Sequence, residues 1–290
     1  MFLVPVVCCF QGGIAMHQIT ADILSRVIIP RPSQSHKGTF GRVLLIGGSP
    51  TMGGAVLMAT RAAVNAGAGL VVCATAPTNQ TALHVAVPEA LFTFLSDHTS
   101  VLAQAKRATV VAIGPGLAPT PANQTLLKTL LRTVTVPLII DAGALTMLAA
   151  HPALLATTNA PVIMTPHQME WQRLSQIPIS EQTPAQNQRA HSRLGGTLVL
   201  KGAPTVIYHA DNTIGQLTTG TPAMATGGMG DTLTGILAAF CAQFNVPLKE
   251  RVEAAVYLHS GLATELAATH YVVTPTLLSN HLSSFMRRFG

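Results

Sequence analysis

This chain has little charge. Asp, Glu, Lys and Arg make up only 10% of its 290 residues, against 48% hydrophobic residues. That balance implies a compact globule with much buried surface, part of which a subunit interface accounts for. Aromatic residues stand at 4%, and no run of Lys or Arg accompanies the formal charge of +6. A nucleic-acid surface needs a basic cluster or stacking rings, so nucleic acid is excluded as a partner. The mild positive balance suits anionic small molecules better.

Cysteine is sparser still, at four residues. Cys8, Cys9, Cys73 and Cys241 show no metal or redox spacing, and adjacent Cys8 and Cys9 make poor disulfide geometry. A reducing, cytoplasmic setting follows. No stretch is long and apolar enough to span a bilayer, which excludes the membrane. The opening MFLVPVVCCFQGGIAM lacks the basic region and cleavage site of a signal peptide. Met16 is expected to be the true start, leaving residues 1–16 as an extension or misassigned start and 17–290 as a single domain. The chain also lacks G-x-x-x-x-G-K-[ST], G-x-S-x-G and any zinc-ligand spacing, so a P-loop is excluded and no direct protein ligand for a metal is assigned.

What is present is an alternation of short apolar runs with helical patterns. The runs 42–47, 70–74, 109–114, 136–141, 162–165 and 197–200 read as strands, and 55–66 as a helix. Strands that are continuously apolar and separated by helices imply a parallel sheet covered on both faces. The segments 205–209 and 213–217, joined by Ala210-Asp211-Asn212, read as a hairpin.

With only eleven acidic residues, each can be asked its purpose. Asp22, Glu89, Asp97, Glu181, Asp211, Glu250, Glu253 and Glu265 fall in polar loops or on helix surfaces and read mostly as solvated charge. Asp141 ends an apolar strand, Glu170 lies in TPHQMEW, and Asp231 lies in PAMATGGMGDTLTGILAAF. All three are expected at strand carboxyl ends, where parallel sheets gather ligands.

Leu233, Ile236, Leu237, Phe240, Cys241 and Phe244 recur at helical spacing, so Asp231 sits in the first turn of an apolar helix. A cap explains one acid there. It does not explain Gly227-Gly228-Met229-Gly230, because a helix start needs no such costly freedom. Bare amides of Gly228, Met229 and Gly230 suit an anion, and an acid beside an anion site suits a general base.

Lys37 in SHKGTFGRV and Lys201 in LVLKGAPTVI both precede glycine. Each reads either as a phosphate contact or as a solvated turn. IGGSPTMGGA and GPGLAP invite a dinucleotide fingerprint with Asp141 as its ribose acid. Pro119 stands where the third glycine belongs, however, and the spacing in the first segment is wrong. His167 follows a strand, as a ligand contact or a structural hydrogen-bonding residue would.

The late G-x-G-D loop at a helix start resembles the ribokinase-like superfamily, α/β proteins with a largely parallel central sheet and helices on both faces. Within it, HKGTFGRVLLIGGS, GAGLV, AIGPGL, LIIDAGAL, MTPHQMEW, VLKGAPTVI and PAMATGGMGDTLTGILAA resemble the ADP- or ATP-dependent NAD(P)H-hydrate dehydratases, in that family's order. The resemblance implies dehydration of NAD(P)HX, a hydrated nicotinamide dinucleotide, through phosphorylation of its ring hydroxyl by ADP or ATP with Mg2+. It implies Asp231 as base and the Gly228–Gly230 amides as the anion hole. Ala55, Gly116, His167 and Asp231 would contact the dinucleotide. Lys201, Gly202, Ala203, Pro204, Thr205 and Gly230 would contact the adenine nucleotide, and Lys37, Asp141 and Glu170 are further candidate contacts. It also implies a homo-oligomer, a tetramer, and an epimerase carried by a separate protein. Met169, Ala223 and Thr221 depart from the family pattern, where Gly, Gly and Asn are usual. A small-alcohol kinase of the hydroxymethylpyrimidine or thiazole type, and a non-catalytic nucleotide sensor, are the alternatives.

Overall fold

A computed structural model describes residues 8–11 and 14–290, with side chains described from Ala15 onward. The strands are β1 (Cys8–Gln11), β2 (Ile14–Gln18), β3 (Arg42–Ile46), β4 (Leu70–Thr75), β5 (Leu91–Phe94), β6 (Val110–Ile113), β7 (Leu138–Ile140), β8 (Val162–Met164), β9 (Thr197–Leu200), β10 (Thr205–Tyr208) and β11 (Ile214–Leu217). They form one sheet in the order β1-β2-β11-β10-β9-β8-β7-β6-β3-β4-β5. From β9 through β5 every pairing is parallel. β10 runs antiparallel to both neighbours, β11 pairs in parallel with β2, and β1 closes the edge antiparallel to β2.

The helices are α1 (Asp22–Val27), α2 (Gly53–Asn65), α3 (Gln80–Ala86), α4 (His98–Ala105), α5 (Pro121–Thr133), α6 (Ala142–Ala149), α7 (Gln168–Ser175), α8 (Pro184–Leu194), α9 (Met229–Gln243), α10 (Leu248–Leu266) and α11 (Pro275–Met286). They cover both faces of the sheet. Along β3, Val43 and Leu45 pack on one face with α2, α9, α10 and α11, while Leu44 and Ile46 pack on the other with α4 to α8. Side chains alternate across a strand, so a strand apolar at every position must be buried twice. That is why the unbroken apolar runs read correctly as interior parallel strands.

Three strands escaped the sequence reading. β5 has four residues and two exposed ends, too short and too wet to show a pattern. β1 and β2 lie in and beside the stretch expected to be an extension. Backbone pairing joins Cys8 to His17 and Gln11 to Ile14, and Met16 is buried. Residues 1–7 and 12–13 of that stretch lie outside the described residues, as do the side chains of Cys8 and Cys9. Cys73 and Cys241 are free and buried. Among the described residues no helix is long and apolar enough to cross a membrane.

Helix α9 is the axis of the molecule. Every residue from Thr232 to Cys241 is buried, not only the apolar stripe visible in the sequence. The extra burial comes from α2, whose Ala59 carbonyl oxygen lies 2.1 Å from where a Cβ on Gly235 would stand. Only glycine lets the two helices approach that closely. At the other end a Cβ on Gly41, just before β3, would meet the Ala242 carbonyl. The helix therefore runs antiparallel to β3, and its first turn lies at the carboxyl ends of the strands.

Candidate active site

Asp141 follows β7 and is almost fully buried, so its charge needs partners. Lys201, directly after β9, donates to Oδ1 at 3.1 Å, and Thr234 of α9 donates to Oδ2 at 2.7 Å. Lys201 Nζ also stands 4.0 Å from Glu170 Oε2. Burial alone would lower the Lys201 pKa. The charges of Asp141, Glu170 and Asp231, with the Asp141 hydrogen bond, outweigh it and raise the pKa above the usual lysine value. The ammonium is thus permanently charged and fixed, with 22% of its side chain still exposed.

Asp231, in the first turn of α9, is half-buried and accepts no hydrogen bond from the described residues. Its carboxyl is pushed up to about 7. Burial is the main cause, the negative charge of Asp141 adds to it, Lys201 opposes, and Glu170 adds a little. A free carboxylate balanced near neutrality is what a general base requires.

The amides beside it are open. Among the described residues, no hydrogen bond uses the N–H of Gly228, Met229, Gly230 or Asp231 as donor. Gly228 has φ of 93°, in the left-handed region, and this turns the chain into the helix. A Cβ on Gly230 would stand 3.2 Å from Lys201 Nζ, so amides and ammonium face one space. Behind them His259 of α10 donates from Nε2 to the Met229 carbonyl at 3.1 Å. Burial pushes that imidazole down to about 4, the hydrogen bond opposes, and the Lys201 charge adds. A neutral ring thus braces the helix start without adding charge.

His167 caps α7. Its Nδ1 accepts from the amides of Met169 and Glu170, and Glu170 Oε2 accepts from the His167 amide at 2.9 Å. Nδ1 being an acceptor puts the ring proton on Nε2. His167 therefore has a structural role through Nδ1, while half of its side chain stays exposed.

The glycine segments that imitate a dinucleotide fingerprint are packing devices. A Cβ on Gly47 would meet the Pro115 carbonyl at 2.0 Å, and one on Gly114 the Asp141 carbonyl at 1.7 Å. They let the loops after β3, β6 and β7 pack backbone on backbone. In the same way Gly116 abuts Ala55, 3.0 Å from a would-be Cβ, one turn along α2 from the Met58 that touches Gly228.

A family model described as NAD(P)H-hydrate dehydratase matches residues 43–284. The chain belongs to this family. An ADP-dependent (S)-NAD(P)H-hydrate dehydratase of Lactiplantibacillus plantarum is 46% identical over 277 residues, covering 95% of this chain and 98% of the relative. A crystal structure of a ribokinase-like superfamily protein from Enterococcus faecalis superposes with a TM-score of 0.90 at 44% identity, covering 97% of this chain and 98% of that one. The ADP/ATP-dependent NAD(P)H-hydrate dehydratase of Bacillus subtilis, co-crystallized with ATP and Mg2+, gives 0.82 at 31% identity, covering 93% and 98%. The fold is ribokinase-like, as expected.

In this member of the NAD(P)H-hydrate dehydratase family, Asp141, Glu170, Lys201, Gly230 and Asp231 converge, and His167 stands beside them through its bridge to Lys201. Gly202, Ala203 and Pro204 form an exposed bend after Lys201, and Thr205 opens β10. Lys37 does not join the group. A Cβ on Gly69, before β4, would meet the Lys37 carbonyl at 1.8 Å, so Lys37 lies at the amino ends of the strands. Thr234 and His259 were missed. Thr234 lay one turn beyond Asp231 and could have been found; nothing in the sequence marks His259.

Proposed function

We propose that this chain dehydrates NAD(P)HX to NAD(P)H at the expense of ADP or ATP, with Asp231 as the base. The carrying observation is the unpartnered Asp231 carboxyl, pushed up to about 7, beside amides whose N–H donors are unused and a fixed ammonium. Membership of the family and the names of its relatives support the same reading.

Asp231 takes the proton of the ring hydroxyl as its oxygen attacks the terminal phosphoryl group. The amides of Gly228, Met229 and Gly230, with Lys201, hold the charge that moves with that group. The nucleotide leaves one phosphoryl shorter. Phosphate then departs with the carbon–oxygen electron pair, and a proton lost from the neighbouring ring carbon restores the double bond. A hydroxide-like leaving group is thereby replaced by a far better one.

Among the described residues Asp141, Glu170 and Asp231 do not cluster as three metal ligands, and Lys201 already occupies the gap between the first two. That donor set fits Mg2+ carried in by nucleotide phosphates rather than held by a protein carboxylate cage. When bound, Mg2+ neutralises phosphate charge. Ala55, Gly116 and His167 would position the dinucleotide, and Lys201 to Thr205 the adenine nucleotide.

Incubation with NADHX, Mg2+ and either nucleotide tests the reading. The reduced-nicotinamide absorbance recovers and free phosphate appears. Failure with both nucleotides in folded protein, or a stable phosphorylated product, overturns it.

A further inference from the structure

Outside the active site, three residues far apart in the sequence meet. His17 lies on β2, His209 follows β10, and Glu253 lies in α10. Nε2 of His17 is 2.7 Å from Glu253 Oε1, and Nε2 of His209 is 2.8 Å from the same oxygen. The two rings stack, with centroids 6.3 Å apart and 17° between their planes.

Hydrogen bonding alone would spread two donors over two carboxylate oxygens. Here both histidines crowd Oε1, and no described residue donates to Oε2. Space has also been kept open beside them. A Cβ on Gly215, which pairs with His17 across β11 and β2, would stand 3.2 Å from both Glu253 Oε1 and His17 Nε2. His209 and Glu253 are buried, but 23% of the His17 side chain is exposed, leaving one approach from solvent.

We propose that His17, His209 and Glu253 bind a divalent transition-metal ion of zinc's class. Two imidazole nitrogens, one carboxylate oxygen and a water entering beside His17 make a four-coordinate set. Seating the ion widens the nitrogen–oxygen separations to roughly 3.3 Å, the edge of a tetrahedron with bonds of about 2.0 Å. The partly exposed His17 supplies most of that movement. Each ring's proton shifts to Nδ1. His209 Nδ1 is buried and has no partner among the described residues. Without that outer support the site binds about 10- to 100-fold more weakly than a fully braced one. The site uses none of the residues around Asp231, and it ties β2 to α10.

Full-length, tag-free protein is stripped with a chelator, dialysed and titrated with Zn2+ by calorimetry; a second sample is loaded with Co2+ for visible spectroscopy. One ion per chain binds, Co2+ shows four-coordinate d–d bands that Zn2+ abolishes, and zinc raises the melting temperature reversibly. His17→Ala, at the exposed side, and Glu253→Gln each lower zinc affinity at least about 10-fold, since even an outer-shell partner is worth that much. Asp231→Asn leaves it unchanged. Absence of stoichiometric binding to the intact protein overturns the proposal, as does affinity unaltered by His17→Ala or lost in Asp231→Asn. The Co2+ spectrum of the unmutated chain decides the matter even if Glu253→Gln does not fold.

Discussion

Thr234 donates a 2.7 Å hydrogen bond to Asp141, joining α9 to the end of β7 across 93 residues of sequence. Both groups are buried, and the bond fixes where the first turn of α9 stands relative to Lys201. Thr234→Val keeps the volume but leaves one oxygen of a buried carboxylate unpaired, at about 1–3 kcal/mol. Urea unfolding should show that loss, and Thr234→Ser should restore most of it. An unchanged midpoint in the valine variant would remove the anchoring role.

Asp231 makes opposite predictions for activity and stability. The base must be ionised, so kcat/KM should rise with pH through an acid limb near 7. Asp231→Asn should lose about 100- to 10,000-fold in rate while still binding nucleotide. For stability, a carboxyl raised from 3.8 in the unfolded chain to about 7 contributes fully below pH 4. That contribution is lost as pH rises through 7, a difference of at most about 4 kcal/mol. The asparagine variant should therefore match the unmutated protein at pH 4 and exceed it in melting temperature above pH 7. Equal stability at both pH values would contradict the assigned environment.

How much of this was legible depended on burial. Strands buried on both faces announced themselves, while β5, half exposed at an edge, did not. Scarcity of charge did the same for the site: Asp141, Glu170, Lys201 and Asp231 stood out because so few charges follow the apolar strands or open the helices after them. Lys37 was misleading because the glycines near it serve backbone packing, Gly41 against Ala242 and Gly69 against Lys37 itself. Glu253, read as solvated helix charge, is buried with His17 and His209. Partners separated by 236 and 44 positions leave no local pattern to read.

Lys201 and Asp141 act on Asp231 with opposite sign, which makes their variants a matched pair. Lys201→Met removes the charge that holds the Asp231 pKa down, so the acid limb should move to higher pH. Asp141→Asn removes the charge that holds it up, so the limb should move lower. Breaking the pair from the lysine side also strands a buried carboxylate, at about 3 kcal/mol. Calorimetric melting and a pH–rate profile separate the two effects. Shifts of the same sign would mean that the limb belongs to another group.

The three glycines around Met229 should not be equivalent. Nothing lies within 4 Å of a Cβ on Gly227, and its φ is ordinary, so Gly227→Ala should change stability by about 0.5 kcal/mol or less. Gly228→Ala is strained at φ of 93°, at about 1–2 kcal/mol, and its Cβ would meet Met58 Sδ at 2.3 Å. Adding Met58→Ala should recover the steric part and leave the backbone part. Gly230→Ala meets only the flexible end of Lys201 at 3.2 Å. It should fold nearly as well as the parent but weaken nucleotide binding, because the methyl group intrudes where amides and ammonium must share a phosphate. Thermal melts beside nucleotide titrations would rank the three, and an intact nucleotide affinity in Gly230→Ala would place the phosphate elsewhere.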